Sequence, residues 1–401
     1  MVGIDYLRAK LAQKRARVLL RYKYYEGKNM DMNPSPAVPQ TLEQMYNSVL
    51  GWPAKAVDSL SDRIVFREFA NDNFNMNEIF QMNNPDVLSR SVVHEALIGS
   101  CSFIYISEDE DGYPRLQAID GSNATGMMDP ITGLLTEGYA VLERDQYGAP
   151  LVEAYFIPKE TVIYEAKKIT RFSHNVEYPL LVPVVYKPDA RRPFGHSVIS
   201  RSAMSLTDKA RWTITRADIT SEFYSFPQKY VVGLSQDAEP MDAWKATISA
   251  MLQFTKDEDG DHPILGQFQQ SSMTPILEQF KLYASAFAGE TGLTLDDLGF
   301  PTENPSSAEA IKASHENLRL SARSAQRTFG TGLLNAGYLA ACLRDDFPYQ
   351  RRVVYLTTPK WEPIFEPDAT ALSGIGDAAT KLQQSFPDYF TDDKLKDLTG
   401  I

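Results

Sequence analysis

Several residue spacings in this chain of 401 residues could do chemistry, and each lacks a necessary part. His94-Glu95 opens like a zinc-protease helix, but the second histidine needed one turn on is replaced by Ile98, so two ring nitrogens cannot close on a metal. The acidic runs 108–111 before Gly112 and 257–259 before Gly260 have the carboxylate density of calcium loops. The closing glutamate is missing from both, with Ala118 and Gly266 in its place. Gly289-Glu290-Thr291-Gly292 has neither the spacing nor the lysine of a phosphate-cradling loop, and Gly99-Ser100-Cys101-Ser102 lacks the second glycine of a nucleophile elbow. The five histidines, His94, His174, His196, His262 and His315, are scattered, and Cys101 and Cys342 form no CxxC pair. These patterns imply no catalytic residue, no metal ligand and no cofactor.

The elements that would position such residues are those of a packed protein, at 43% hydrophobic and 11% aromatic side chains. The length is that of two to three domains. With 52 acidic and 40 basic residues the formal charge is −12, which argues against gripping nucleic acid through bulk positive charge. No apolar stretch reaches the roughly 18 residues a membrane span needs, so no membrane partner is expected. The first 27 residues carry Arg8, Lys10, Lys14, Arg15, Arg17, Arg21 and Lys23 without the apolar core of a signal peptide. They read as a basic helix.

A capping pattern at Thr41 and Gln44 predicts a helix running toward Ile64 with a kink at Gly51-Trp52-Pro53, and a second helix follows Pro85 and ends at Gly99. Between 101 and 188 the period changes to short β-branched and aromatic runs, with Asp111-Gly112 as a hairpin turn. The first half is thus α+β. From 197 to 225 there is no Pro or Gly. Ile199, Ala203, Leu206, Ala210, Ile214 and Ala217 make a narrow small-residue stripe suited to close helix packing, with Arg201, Lys209, Arg211 and Arg216 read as solvated. A small region follows, with a strand at 230–233, a helix at 241–254, an acidic turn and a further segment at 263–268, and Thr274-Pro275 starts a returning helix.

Residues 290–304 carry Glu290, Asp296, Asp297 and Glu303 and no Lys or Arg, a loop that cannot bind phosphate by charge. Ser306 and Glu309 form a capping box opening a helix to about Leu343. Ile311, Leu318, Ala322, Ala325 and Phe329 form its apolar side, and Lys312, Arg319, Arg323 and Arg327 a basic row read first as salt bridging between helices or subunits. Gly330 and Gly332 predict a kink or break there. A strand at 351–358 and a helix at 377–386 complete the pattern.

These residues together resemble a known family. The order Tyr24-Tyr25-Glu26-Gly27, Trp52 with Val57-Asp58-Ser59-Leu60-Ser61-Asp62-Arg63, Ala96-Leu97-Ile98-Gly99, Pro193-Phe194-Gly195-His196-Ser197 and Asn304-Pro305-Ser306-Ser307-Ala308-Glu309-Ala310-Ile311 is similar to portal proteins of tailed double-stranded DNA bacteriophages, in the actinobacteriophage and SPP1-like branch. That resemblance implies an α+β portal fold with N-terminal helices and wing at 1–196, stem helices at 197–225 and 274–294, and a small α/β clip at 226–273. It further implies a tunnel loop at 295–305, a long kinked wing helix at 306–345, and a C-terminal wing strand with a small crown at 346–401. It implies a homo-dodecameric ring in the virion, at one capsid vertex, for DNA packaging and ejection. The implied partners are a large terminase ATPase, a head-tail adaptor, the major capsid and scaffold proteins, and double-stranded DNA passing without sequence specificity. Assembly would take place in the host cytoplasm.

On that mapping Asp296, Asp297, Thr302, Glu303 and Asn304 are the DNA-channel candidates. Ala203, Ala210, Ala217, Arg319, Arg323 and Arg327 are the inter-subunit candidates. The competing reading from another class is a nucleic-acid-processing enzyme with a dispersed active site, favoured only by the size of the chain.

Overall fold

The computed structural model describes residues 2–29, 46, 48–166, 168–225, 229–232, 264–267, 272–301, 308–354, 356–365 and 369–385. The chain divides into two compact units, one of Met1–Asn29, Gly51–Met204 and Ala288–Ile401, the other of Met30–Leu50 and Ser205–Phe287.

The first unit opens with helix α1 (Ile4–Tyr25), whose Leu7, Leu11 and Val18 are buried. Its cations are not a solvated arm. Lys10 Nζ donates to the Gly126 carbonyl at 2.7 Å, Lys14 Nζ sits 3.1 Å from Cys101 Sγ, and Arg21 donates to the Gly99 carbonyl at 2.8 Å. The expected helix from Thr41 to Ile64 is corrected. Residues 48–50 are not helical, and α2 (Trp52–Ser61) begins after Gly51 with Pro53 in its first turn, where a missing N–H leaves no bond unmade. Thr41 lies outside the described residues.

Strand β1 (Phe66–Ala70) and helix α3 (Met76–Met82) lead to α4 (Pro85–Gly99), which starts at a proline as expected. The left-handed residue ending α4 is Ser100, at φ 87°, and not Gly99.

The strand region is antiparallel throughout, in two sheets. The first orders β2 (Cys101–Glu108), β3 (Pro114–Ile119) and β9 (Leu181–Val185) as β3-β2-β9. The second runs in sequence through β4 (Ala124–Met128), β5 (Leu135–Arg144), β6 (Pro150–Ile157), β7 (Glu160–Glu165) and β8 (Lys168–Ser173). The acidic run at 108–111 builds the β2–β3 turn: Asp109 Oδ1 accepts from the backbone of Asp111 and Tyr113 at 3.0 and 2.8 Å, and Gly112 takes φ 77°.

Helix α5 (Arg201–Ser225) is shorter at its start than the expected 197–225 because Ser200 caps it, its Oγ accepting from Ala203 N at 3.0 Å. In the second unit the 205–225 part of α5 departs from the narrow stripe. Thr207, Ala210, Arg211, Thr213 and Thr215 are all buried, and the Arg211 guanidinium lies 5.0 Å from the Trp212 ring centre. Arg211 is therefore not solvated. Strand β10 (Lys229–Val232), near its expected place, pairs antiparallel with β11 (Ile264–Gln267). The expected helix at 241–254 lies outside the described residues.

Helix α6 (Thr274–Thr291) begins at the Thr-Pro pair. Then come α7 (Ala308–Ser314) and α8 (Glu316–Arg344), the helix on which the core of the first unit closes. The break falls at His315; helix runs unbroken through Gly330 and Gly332, so the break expected at these glycines is not there. Those glycines allow close approach instead. A Cβ at Gly332 would lie 2.9 Å from Val184 Cγ2 and 3.2 Å from the Pro183 carbonyl, and one at Gly337 would lie 2.8 Å from Met76 Sδ. Every residue of β9 is consequently buried, with α4 and α8 packed against it.

Leu318, Ala322, Ala325 and Phe329 are buried as expected, but Ile311 is exposed. The expected strand at 351–358 is instead a short 3₁₀ turn, Arg351–Val354, followed by β12 (Thr358–Trp361), because β1 offers partners only from Thr358 onward. Helix α9 (Ala369–Ser385) begins earlier than expected.

Overpacking a core by several methyl groups costs about 1–3 kcal/mol. Gly332→Val is therefore expected to lower unfolding stability by that amount, while Gly374→Ala, at an exposed helical position with open space around it, stabilises by up to about 1 kcal/mol. Denaturant midpoints of the two variants check the pair; equal midpoints would show that α8 does not depend on this contact.

Candidate functional site

Residues 288–301, with the start of α8, form the acidic surface that the sequence singles out. Asp297 is the centre of a self-capping turn. Its Oδ2 accepts from Thr294 N and Thr294 Oγ1, both at 2.9 Å, and its own N–H donates to Thr294 Oγ1 at 3.2 Å. The ring of His315, at the break between α7 and α8, brings Nδ1 to 3.6 Å from the same Oδ2. The 3₁₀ turn Asp296–Leu298 then packs against α2. Asp296 is exposed, and Glu290 accepts from Ser200 Oγ at 2.7 Å. Asp297 is thus anchored, while Thr302, Glu303 and Asn304 lie outside the described residues.

The inter-subunit candidates separate into covered and open groups. Ala203 and Ala210 are 1% and 0% exposed within the chain itself, so a neighbouring copy cannot touch their methyl groups. This corrects the expectation for these two. Ala217 is half-buried. Arg319 forms a two-pronged bond to Glu316, both contacts at 2.7 Å, so it is engaged within its own helix. That pairing draws Glu316 below, and lifts Arg319 above, their ordinary ranges. Arg323 and Arg327, at the following turns, are exposed. The structure does not bring the acidic turn and these two arginines into one bonded cluster among the described residues.

Segments far apart in sequence meet in a second, polar cluster joining α1, α2 and α4. Tyr25 Oη donates to Asp58 Oδ1 at 2.9 Å and lies 3.0 Å from His94 Nε2, with the two rings edge to face. Burial and the Asp58 carboxylate push the Tyr25 hydroxyl up to about 12. Tyr22 Oη donates to Glu95 Oε2 beside them. Ser197 Oγ donates to the Ile98 carbonyl at 2.7 Å, joining the start of the long-helix region to the end of α4. Gly195, at φ 71°, leaves room where a Cβ would fall 2.0 Å from the Tyr186 carbonyl, and His196 N donates to that carbonyl at 2.9 Å. His196 Nε2 is 2.7 Å from Asp189 Oδ2. Among the described residues no group of three or more His, Cys, Asp or Glu is placed to hold a metal ion.

Known proteins were compared with the chain. No family model matches it. The portal protein of Mycobacterium phage L5 is 23% identical over 383 residues, covering 90% of this chain and 77% of that protein. The portal protein of Mycobacterium phage D29 is 22% identical over 383 residues, with the same coverage. The chain resembles phage portal proteins. Among solved structures, a chain of the virion of a native gene transfer agent particle matches at 12% identity and TM-score 0.47, covering 97% of this chain and 99% of that one. A chain of the neck of the native particle computed with C12 symmetry matches at 13% identity and TM-score 0.47, covering 95% and 99%.

Of the segments that carried the portal resemblance, Tyr25 bonds Asp58 and Ser197 bonds Ile98, while His94 and Tyr186, which add to these contacts, lie outside those segments. What sequence reasoning missed is the role of His315, which was visible only as one histidine between Ser314 and Glu316. The Thr294–Asp297 spacing, a side-chain cap at three residues, was the available signal for the turn.

Glu95 yields a pH prediction. Burial, with Asp120 adding to it, pushes its carboxyl up to about 7. The fold therefore holds a proton that the unfolded chain releases near 4.5, so this group's contribution to stability falls as pH rises from about 4.5 through about 7 and is level above. Against Glu95→Gln, the unaltered protein is expected to lose roughly 1–3 kcal/mol across that window. Parallel denaturation curves at pH 4.5, 6 and 8 measure it, and a constant gap between the two proteins would refute the assignment.

Proposed function

We propose that this chain is the portal subunit of a tailed-phage particle, forming a dodecameric ring at one capsid vertex through which double-stranded DNA enters during packaging and leaves during ejection. The observation that carries this reading is the match to two portal proteins over 90% of the chain. On it, the wing comes from 1–196, the stem from 197–225 and 274–294, the clip from 226–273, the tunnel loop from 295–305, the long helix from 306–345 and a small crown from 346–401. The chain's own segments supply no phosphate-cradling loop, so force for packaging comes from a separate large terminase ATPase docked on the clip side. A head-tail adaptor, the major capsid and scaffold proteins complete the partner set, with assembly in the host cytoplasm and the final location in the virion.

The electrostatic logic favours a passive lining. Twelve copies each carry −12, and a basic bore would release counterions at every phosphate it touched and hold the duplex there. An acidic tunnel segment with Asp296 exposed, Asp297 anchored by Thr294, and Thr302, Glu303 and Asn304 beyond it lets the polyanion pass without adhering. Ala217, Arg323 and Arg327 are then left for contacts between subunits.

Negative-stain images of the purified chain are expected to show rings with a central pore and high rotational symmetry. A monomer at high concentration would overturn the reading. Short duplex DNA titrated against those rings at low salt is expected to bind weakly, and neutralising Arg323 and Arg327 to change that binding little. Tight binding abolished by Arg323→Gln with Arg327→Gln would place the two arginines in the bore instead.

A further inference from the structure

The outer side of α1 and the β5–β6 hairpin border a groove of about 440 Å³ that the channel reading leaves unused. Leu11, Leu19, Val141 and Pro150 give it apolar walls, and two guanidiniums, Arg15 and Arg144, line it with them.

The two arginines differ in their bonding. Arg144 is fixed, its Nε donating to Asn123 Oδ1 at 2.7 Å and its Nη1 to the Gly148 carbonyl at 2.8 Å. Arg15 Nε is sealed from water and meets no acceptor. Gly148, at φ 84° in the hairpin turn, lies beside Arg15, a Cβ there falling 3.6 Å from Arg15 Nη2, an ordinary contact distance. Burial, with the charge of Arg15 beside it, draws Arg144 below the usual guanidinium range. The carboxylate in the groove, Glu153, is already engaged: Arg8 donates to its two oxygens at 3.1 and 2.6 Å, and Tyr139 donates as well.

Two guanidiniums on the walls of a partly apolar groove, whose one carboxylate is already engaged by Arg8, form a receptor for an oxyanion. We propose that this groove binds an aspartate or glutamate side chain carried on an apolar segment of a partner protein. The carboxylate sits between Arg15 and Arg144, and its flanking apolar side chains lie on Leu11, Leu19, Val141 and Pro150. Charge complementarity selects the carboxylate. The apolar walls select a peptide over a nucleic-acid backbone, whose successive phosphates need a line of free cations, and Arg8 is held by Glu153. The site belongs to the first unit alone and stands whether or not the chain closes a ring.

Saturation-transfer NMR, which reads the small partner of a large assembly, tests it on the full chain. The probes are a terminally blocked Leu-Glu-Ala-Leu peptide, its Leu-Gln-Ala-Leu counterpart, and a short DNA duplex. The glutamate peptide is expected to bind at least about tenfold more tightly than the glutamine one, and Arg15→Gln to abolish that difference while Arg17→Gln, on the same helix outside the groove, preserves it. Equal binding of the two peptides to the unaltered protein would overturn the proposal without reliance on any variant. So would a difference that survives Arg15→Gln, or duplex DNA that outcompetes the glutamate peptide at this site.

Discussion

The first unit depends on how near one helix can come to one strand. Helix α8 presents Gly332 to Val184 and the Pro183 carbonyl, and Gly337 to Met76, at separations that leave no place for a side chain. Close approach removes the space that voids would occupy, and dispersion contacts fall steeply with even a fraction of an ångström of gap. Hence Leu333, Ala336, Leu339 and Ala340 are all fully buried, and β9 is buried along its whole length. The same helix begins at His315, whose ring touches the acidic turn. That 29-residue helix thus joins the packed core at one end to the acidic turn at the other.

A second constraint is electrostatic. Helix α1 looks from its composition like a free basic arm, but Lys10, Lys14 and Arg21 bond the sheet and the end of α4, and Arg8 pairs with Glu153. Partly buried cations with specific carbonyl or carboxylate partners act as structural pins, because withdrawing one strands its acceptor. Glu137 receives the backbone N–H groups of Val2 and Gly3 and the Tyr155 hydroxyl in the same way, which holds its carboxyl below the usual range despite burial. Lys10, Lys14, Arg21 and Arg8 of the basic N-terminal helix are accordingly engaged in contacts within the unit.

How much of this was legible depends on the range of the interaction. The β2–β3 hairpin could be read from Asp111-Gly112, the start of α6 from Thr274-Pro275 and the start of α4 from Pro85, because each is decided by two or three neighbouring residues. The glycines of α8 suggested a break that the helix does not have, because a sequence shows a missing side chain but not the strand that needs its absence. Arg211 was misread as solvated because helix periodicity ranks residues by polarity, while its burial is set by tertiary context. The polar cluster was legible only in fragments: Tyr25, Asp58 and His94 lie in separate motifs, and nothing local says that three helices bring them within 3.4 Å of one another. The Arg15 and Arg144 pair gave no sequence signal at all.

Fixed acidic groups and outward arginines have different consequences for a moving polyanion. A carboxylate such as Asp297, bonded twice to Thr294, cannot swing to follow a passing phosphate. Negative groups held in place preserve the counterion atmosphere of the duplex, so no counterions are released and no affinity accumulates as the chain advances. Flexible exposed arginines do the reverse, each adding a favourable contact that must be broken at the next step. On the proposed portal reading the two kinds of group are segregated, with Arg323 and Arg327 directed to protein and the 290–304 segment to the passage. The i,i+3 pairing of Arg319 with Glu316, which occupies the arginine nearest the acidic turn, is the local form of that segregation.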